Sequence, residues 1–173
     1  MSLARMRAMI VLGILVLLAV VTAGWAIAQD SESPARLADR TPCVKSTVPF
    51  ASAVPTDPAG VRTNVYNATT RIGLATQVAD QLRALGFRVG KVGNDPLGST
   101  VDAPAEIRYG PAGAGTAQML RAQFPGSVAR LVTRADATVD VVLGMRYESV
   151  ATAAESAREL TRLGVPTPPA ELC

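Results

Sequence analysis

Few side chains in this chain of 173 residues have the type and spacing that catalysis requires. The sequence contains no histidine, so the most common general base and the most common metal ligand are both missing. Asp102, Asp136 and Asp140 could supply an acid–base pair, but nothing sets their separation, and glycoside hydrolysis needs two carboxylates across a cleft. The serines have no histidine partner and no G-x-S-x-G elbow. We therefore expect no enzyme, no catalytic residue, no cofactor and no metal; a secreted hydrolase or transferase is a remote alternative.

A polar turn at residues 67–71 is the best candidate for a contact surface. Its asparagine, two threonines and arginine could bind a glycan or a protein partner through hydrogen bonds, helped by an exposed tyrosine. The alternative is that these side chains only shape the turn and cap the following helix. The candidate binding residues are Asn67, Thr69, Thr70, Arg71, Tyr109 and Gly110.

The glycine-rich segment 110–116, GPAGAGT, lies between a predicted strand and a predicted helix. A helix N-terminus preceded by glycines can hold an anion. The segment lacks the Lys-Ser/Thr ending of a P-loop and the third glycine of a dinucleotide-binding fingerprint. A plain connecting loop is therefore favoured over a phosphate site.

Patterns of apolar residues predict the elements that would position these side chains. Period-two alternation predicts a strand at 61–67, and an apolar face predicts a helix at 73–85. Further strands are predicted around 87–92, 100–109, 129–132 and 138–144, with a second helix at 116–124. The order β-α-β-β-α-β-β favours a small α/β (α+β) two-layer sandwich, a mixed sheet with helices on one face. The strands around 87–92 and 100–109 are expected to form a hairpin.

A third helix is predicted in the C-terminal segment 148–173, where apolar residues recur at helical spacing as far as Gly164. Thr152 and Glu155 have the spacing of a capping box. The helix could pack on the domain or serve as a docking surface, and packing is favoured.

A long apolar block occupies residues 8–28. No charged residue lies between Arg7 and Asp30, and a helix over the block would span about 31 Å, the thickness of a bilayer core. The arginines before the block place residues 1–7 in the cytoplasm and the rest outside. A single-span anchor in the plasma membrane is favoured; a signal peptide cleaved after the A-x-A sequence at 26–28 is the alternative.

Residues 30–58 form a linker rich in proline and serine, which suits neither a regular helix nor a central strand. Its apolar residues at 48–54 indicate that the second half lies against the following domain. Export to an oxidising compartment favours a disulfide between Cys43 and Cys173, which would join both ends of that domain. The alternative is two unrelated thiols.

The charge of the chain does not indicate a nucleic-acid partner. Two of the 17 basic residues precede the apolar block, so 17 − 2 = 15 remain beyond it against 14 acidic residues. Charges of both signs are interspersed rather than grouped in a basic stripe. We therefore expect no nucleic-acid binding.

A family resemblance is carried by residues 65–94, VYNATTRIGLATQVADQLRALGFRVGKVGN. They resemble the opening of the LytR C-terminal domain, an extracytoplasmic module of actinobacterial envelope proteins. Further matches at Ile107, at Tyr109-Gly110 and at 141–144, VVLG, extend the resemblance over residues 59–147. Where the family often has an acidic residue after the last glycine, this chain has Met145-Arg146.

The resemblance implies a non-catalytic role in maintaining the cell envelope. In larger relatives the domain follows a LytR-CpsA-Psr phosphotransferase domain that attaches glycopolymers to peptidoglycan, and we expect this chain to lack that domain. Two functions follow from the resemblance. One is a membrane-anchored scaffold or regulator that contacts such ligases or other envelope-assembly proteins; the other is a module that binds peptidoglycan, linked glycan or a lipid.

Overall fold

The computed structural model describes residues 46–170 and 172. These residues belong to one compact unit, Cys43–Cys173. The predicted anchor at 8–28 and both cysteines of the predicted disulfide lie outside the described residues. Within the described part of the chain, no helix is long and apolar enough to cross a membrane.

The described residues form five strands and three helices in the order predicted from the sequence. The elements are β1 (Arg62–Asn67), α1 (Leu74–Ala84), β2 (Arg88–Asn94), β3 (Ala105–Tyr109), α2 (Ala114–Gln123), β4 (Val128–Leu131), β5 (Val139–Leu143) and α3 (Ala153–Leu163). β3 begins only after Pro104, which has no N–H to donate to a strand ladder. α3 begins with the predicted capping box between Thr152 and Glu155.

The strands form one mixed sheet in the order β2-β1-β5-β3-β4. β1 is parallel to β2 and β5, whereas β3 is antiparallel to β5 and parallel to β4. The mixed sheet agrees with the prediction, but the expected hairpin is wrong, because β1 and β5 separate β2 from β3. β5 is buried at all five of its positions, which suits a central strand.

The hydrophobic core lies on the face of the sheet that carries α1 and α2. Both helices and the central strands contribute to a single buried cluster. The helical residues of this cluster include Leu74, Val78, Leu82, Ala117 and Leu120. Their three- and four-residue spacing places them on one side of each helix. Both helices therefore cover the same face of the sheet, and each buried leucine stabilises the fold by about 1.5–3 kcal/mol.

The opposite face of the sheet carries a network of polar side chains. Asp140 in β5 accepts hydrogen bonds from Asn64 Nδ2 at 2.7 Å and from Arg134 Nη2 at 2.5 Å. Arg134 Nη1 also donates to the Thr138 carbonyl at 2.8 Å. These bonds satisfy a buried carboxylate and hold the segment between β4 and β5 against the sheet.

α3 packs against α2, as the sequence favoured. Gln118 Nε2 donates to the carbonyls of Leu163 and Gly164 at 3.1 and 2.8 Å, at the end of α3. Gln123 Nε2 donates to Ser156 Oγ at 2.7 Å, near its start. α3 has no buried residue, so polar side chains of α2 rather than a large apolar contact attach it.

Candidate functional site

A cleft of about 610 Å³ opens at the carboxyl ends of β1 and β2. Its lining comprises residues 67–73, the loop that follows β2, and Met145 after β5. Carboxyl ends of neighbouring parallel strands meet at one edge of a sheet, where ligands commonly bind. The structure thus brings together four of the candidate binding residues predicted from the sequence: Asn67, Thr69, Thr70 and Arg71.

Hydrogen bonds within the turn hold Asn67 and Thr69 in place. Asn67 Oδ1 accepts from the Thr69 amide and hydroxyl at 2.9 and 2.7 Å, and Asn67 Nδ2 donates to the Arg71 carbonyl at 2.7 Å. Thr69 Oγ1 in turn accepts from the Arg71 amide at 3.1 Å. Because Asn67 is buried and both its Oδ1 and its Nδ2 form hydrogen bonds within the turn, it shapes the cleft rather than contacting a ligand.

The side chains shape the turn, as the second interpretation of the sequence expected, but they do not cap α1. The N-cap residue is Gly73, which forms no side-chain capping bond. Its φ of 76° lies in the left-handed region, which glycine enters without a steric penalty. The side chains of Asn67 and Thr69 instead form hydrogen bonds within the turn, just before the helix begins.

Arg71 joins the turn to the segment after β5. Its Nη1 donates to the Tyr147 carbonyl at 3.0 Å, and its guanidinium carbon lies 5.7 Å from the centre of the Tyr147 ring. Such a cation–π contact contributes about 0.5–1 kcal/mol at an exposed site. Burial raises the pKa of Tyr147, and the Arg71 charge partly offsets this effect. Arg71 therefore fixes one wall of the cleft.

The opposite wall is held by an ion pair between Asp95 and Arg108. Arg108 Nη1 and Nη2 donate to the two carboxylate oxygens of Asp95 at 2.7 and 3.1 Å, and Nη2 also donates to Ser99 Oγ at 3.0 Å. Burial alone would raise the pKa of Asp95, but the Arg108 hydrogen bonds and the amides of Ser99 and Leu97 lower it to about 2. Asp95 is therefore an anchor for the loop after β2.

Exposed apolar side chains stand at this cleft. Ile72 is fully exposed, at 102% of its reference area, and Met145 is 59% exposed; both line the cleft. Leu97, 64% exposed, belongs to the same loop after β2. The side chains of Asn67 and Asp95 already form hydrogen bonds within the protein. The surface is therefore suited to contact with a partner rather than to acid–base chemistry.

Tyr109 and Gly110 do not lie at the cleft. β5 places Leu143 beside Asn67, and the residue of β3 that pairs with Leu143 is Ala105, at the other end of β3 from Tyr109. A Cβ on Gly110 would lie 2.2 Å from the Arg134 carbonyl oxygen. This position therefore requires glycine because the backbone of residue 134 packs closely against it. The six candidate residues therefore divide between two separate places.

The glycine-rich segment before α2 is covered by the linker. Ala51 donates its amide to the Pro111 carbonyl at 2.9 Å and accepts from the Gly115 amide at 2.8 Å. A Cβ on Gly115 would lie only 1.8 Å from the Ala53 carbonyl oxygen. The connecting-loop interpretation therefore agrees with the structure, because backbone occupies the position that an anion would need.

Sequence reasoning missed four residues that shape the cleft: Ile72, Asp95, Arg108 and Met145. Ile72 interrupts the polar turn directly before the helix, which is a signal that the sequence contains. The pairing of Asp95 with Arg108 depends on the loop after β2 crossing back towards β3, and no local pattern encodes that path. Among the described residues, no group of three His, Cys, Asp or Glu side chains could hold a metal ion.

A family model described as LytR cell envelope-related transcriptional attenuator, LytR_C, matches residues 60–147, which is half of the chain. This chain belongs to the LytR_C family. The resemblance predicted from the sequence is thereby confirmed, over nearly the same residues.

Two relatives within mycobacteria are similar to this LytR_C protein. The cell envelope integrity protein Cei of Mycobacterium tuberculosis is 32% identical over 108 residues, covering 61% of this chain and 50% of Cei. The chain thus spans about half the length of that curated relative. The crystal structure of the soluble domain of a conserved hypothetical secreted protein from Mycobacterium marinum matches with a TM-score of 0.56 and 32% identity. That match covers 69% of this chain and 83% of the crystallised one.

Proposed function

We propose that this LytR_C protein is a membrane-anchored, non-catalytic, extracytoplasmic protein that supports the integrity of the cell envelope. It acts as a scaffold or regulator of cell-wall or glycopolymer assembly. The observation that carries the proposal is the pair of exposed apolar side chains, Ile72 and Met145, beside polar groups that the protein already satisfies. Apolar side chains within a polar rim are typical of surfaces that bind other proteins.

The proposed location rests on the N-terminal sequence and on the relatives. The apolar block at 8–28, with arginines before it, has the length and flanking charge of a single membrane span. One relative is named for cell envelope integrity, and the other is the soluble domain of a secreted protein. Both support an extracytoplasmic position for the folded domain.

The proposed partner is an envelope-assembly protein, such as a ligase of the LytR-CpsA-Psr type. Such a partner would bury Ile72 and Met145 and could hydrogen-bond to the exposed side chains of Thr70 and Asn94 at the cleft. Burying an apolar side chain of this size contributes about 1.5–3 kcal/mol, so two of them can carry much of a moderate affinity.

A second candidate function is binding of peptidoglycan, linked glycan or a lipid in the same cleft. Its volume of about 610 Å³ lies in the range of small-molecule sites, about 300–1,000 Å³. Against a saccharide, none of the described residues that line the cleft is aromatic, so no ring is available for a sugar to stack on. The protein partner is therefore the better supported of the two.

The test is the double substitution Ile72→Ser with Met145→Ser in the full-length chain. We expect crosslinking in the native host to recover a partner protein with wild type and to lose it, by about tenfold or more, with the variant. We expect a deletion strain to be sensitive to detergent, and a deletion strain that carries the variant should be equally sensitive.

The matched control is Val128→Ser with Val165→Ser, which removes two exposed apolar side chains that do not line the cleft. The control should behave as wild type. Equal loss of the partner with both double variants would contradict the assigned surface. Retention of the purified chain on insoluble cell wall, without any other protein, would favour the second candidate function instead.

A further inference from the structure

Two exposed arginines stand side by side where β1 and β2 begin, at the opposite end of β1 from the cleft. Arg62 and Arg88 are register partners in these parallel strands, so their side chains leave the same face of the sheet. Neighbouring strands lie about 4.8 Å apart. Within the described part of the chain, neither guanidinium forms an ion pair.

A register irregularity lies next to the two arginines, and β2 continues from it with an exposed lysine. The register of β1 and β2 shifts near Asn64, whose Oδ1 accepts from the Lys91 amide at 2.9 Å. The Lys91 side chain is exposed. A Cβ at the neighbouring Gly90 would lie 2.9 Å from Asn64 Oδ1, so a larger residue would require the Asn64 side chain to move. A shallow cavity of about 270 Å³ is lined by both arginines, Asn64 and Gly90.

The acidic groups near this surface neutralise only part of its charge. Asp140 is engaged by Arg134, so that pair adds no net charge. Asp136 lies close enough for the Arg62 charge to contribute to the lowering of its pKa, whose larger cause is hydrogen bonding to Thr138. Like charges on register partners are destabilising. A bound anion would remove that repulsion.

We propose that Arg62, Arg88 and Lys91, here termed the basic edge, bind the phosphate groups of a linear polyanion. Guanidinium groups present planar pairs of N–H donors that match the oxygens of a phosphate. β2 is an edge strand, so a chain-like ligand can continue past the site in both directions. The proposal does not rest on a protein partner at the cleft, because the two surfaces lie at opposite ends of β1.

The test measures binding of a short, fluorescently labelled inorganic polyphosphate to the full-length chain in a zwitterionic detergent, by fluorescence anisotropy. The variant is Arg62→Gln with Arg88→Gln. We expect its affinity to be at least about tenfold lower, since hydrogen bonds to charged groups are among the stronger ones. Affinity of the wild type should fall as salt is added, because the surface is exposed.

The matched control is Arg146→Gln with Arg158→Gln, which removes the same net charge from exposed arginines without an ion pair among the described residues. Wild-type affinity in this control supports the basic edge. An equal loss in both variants would show general charge attraction and overturn it, as would no binding by wild type. Equal affinity of wild type for poly-L-glutamate and polyphosphate would overturn the assignment to phosphate.

Discussion

At the scale of single residues, Arg108 contacts more charged groups than its position in a short strand would indicate. Its side chain is 4% exposed, and it donates to Glu106 within β3 as well as to Asp95 and Ser99 in the loop after β2. Removing one partner of a buried ion pair leaves the other charge unpaired and costs about 3–5 kcal/mol. The shape of the cleft thus depends on a side chain that does not line it.

The first prediction concerns the pH dependence of stability through Asp95. Its pKa in the folded protein, about 2, is below the unfolded value of about 3.9, so its contribution is present above pH 4. That contribution is lost as the pH falls from about 4 towards 2, and it amounts to about 2 kcal/mol. Urea unfolding at a series of pH values should show this loss in wild type.

Asp95→Asn should be less stable at neutral pH and should lose less stability on acidification. The control is Asp80→Asn, since Asp80 forms an exposed pair with Arg83 and should leave the profile of wild type unchanged. If Asp95→Asn retained the full acid-dependent loss, another carboxylate would be responsible.

Residue-level features were predictable from the sequence only where they are local. The polar turn at 67–71 was recognised because its side chains bond to neighbours two to four residues away. The contact between this turn and Tyr147 was not recognised, because the hydrogen bond from Arg71 joins residues 76 positions apart. The basic edge was not predictable from the sequence either, because Arg62 and Arg88 become neighbours only when β1 and β2 pair.

At the scale of elements, the linker and α2 depend on each other. The Gly115 amide belongs to the first turn of α2, where N–H groups have no partner within the helix, and Ala51 supplies its acceptor. The linker therefore supplies a hydrogen-bond acceptor that the first turn of α2 would otherwise lack. The segment at 51–54 accordingly behaves as part of the fold rather than as a spacer.

The second prediction is that Gly115→Ala destabilises the protein. Alanine in place of a helical glycine normally stabilises by about 1 kcal/mol. Here the added Cβ would meet the Ala53 carbonyl, so we expect a loss of about 1–3 kcal/mol in the free energy of unfolding. Hydrogen exchange at the Ala51 amide should accelerate as the linker is displaced.

Gly60→Ala serves as the control, because a Cβ at Gly60 meets nothing within 4 Å. It should leave both the unfolding free energy and the Ala51 exchange rate near those of wild type. A stabilised Gly115→Ala protein would mean that the linker does not pack on α2 in solution.

Periodicity predicted the elements but not which strands pair. The three- and four-residue spacing of α1 and the valine-rich pattern of β5 follow from side chains that each element must bury. A hairpin of β2 and β3 was expected because the two strands are consecutive. That expectation failed because β1 and β5 lie between β2 and β3 in the sheet, an order that depends on contacts between distant parts of the chain.

At the scale of the whole molecule, the third prediction is the disulfide between Cys43 and Cys173. The chain-entropy model assigns about 5 kcal/mol, as an upper figure, to a bridge that closes so long a loop. Intact mass measurement after alkylation without reductant should show no alkyl group added to the exported protein. Cys43→Ser should lower the melting temperature of the protein. Reduction of the wild-type protein should lower its melting temperature by a similar amount. Two alkyl groups on the unreduced protein would contradict the bridge.

The length of β1 sets the distance between two ligands that bind one copy of this protein at the same time. Its six residues run from Arg62 at the basic edge to Asn67 at the cleft, a distance of about 17 Å along an extended strand. Because β1 is paired on both sides, this distance cannot stretch or collapse. A phosphate polymer held at one end and a protein held at the other would meet at an effective concentration set by the strand. Where the polymer and the protein also bind each other, each would then raise the occupancy of the other on this chain.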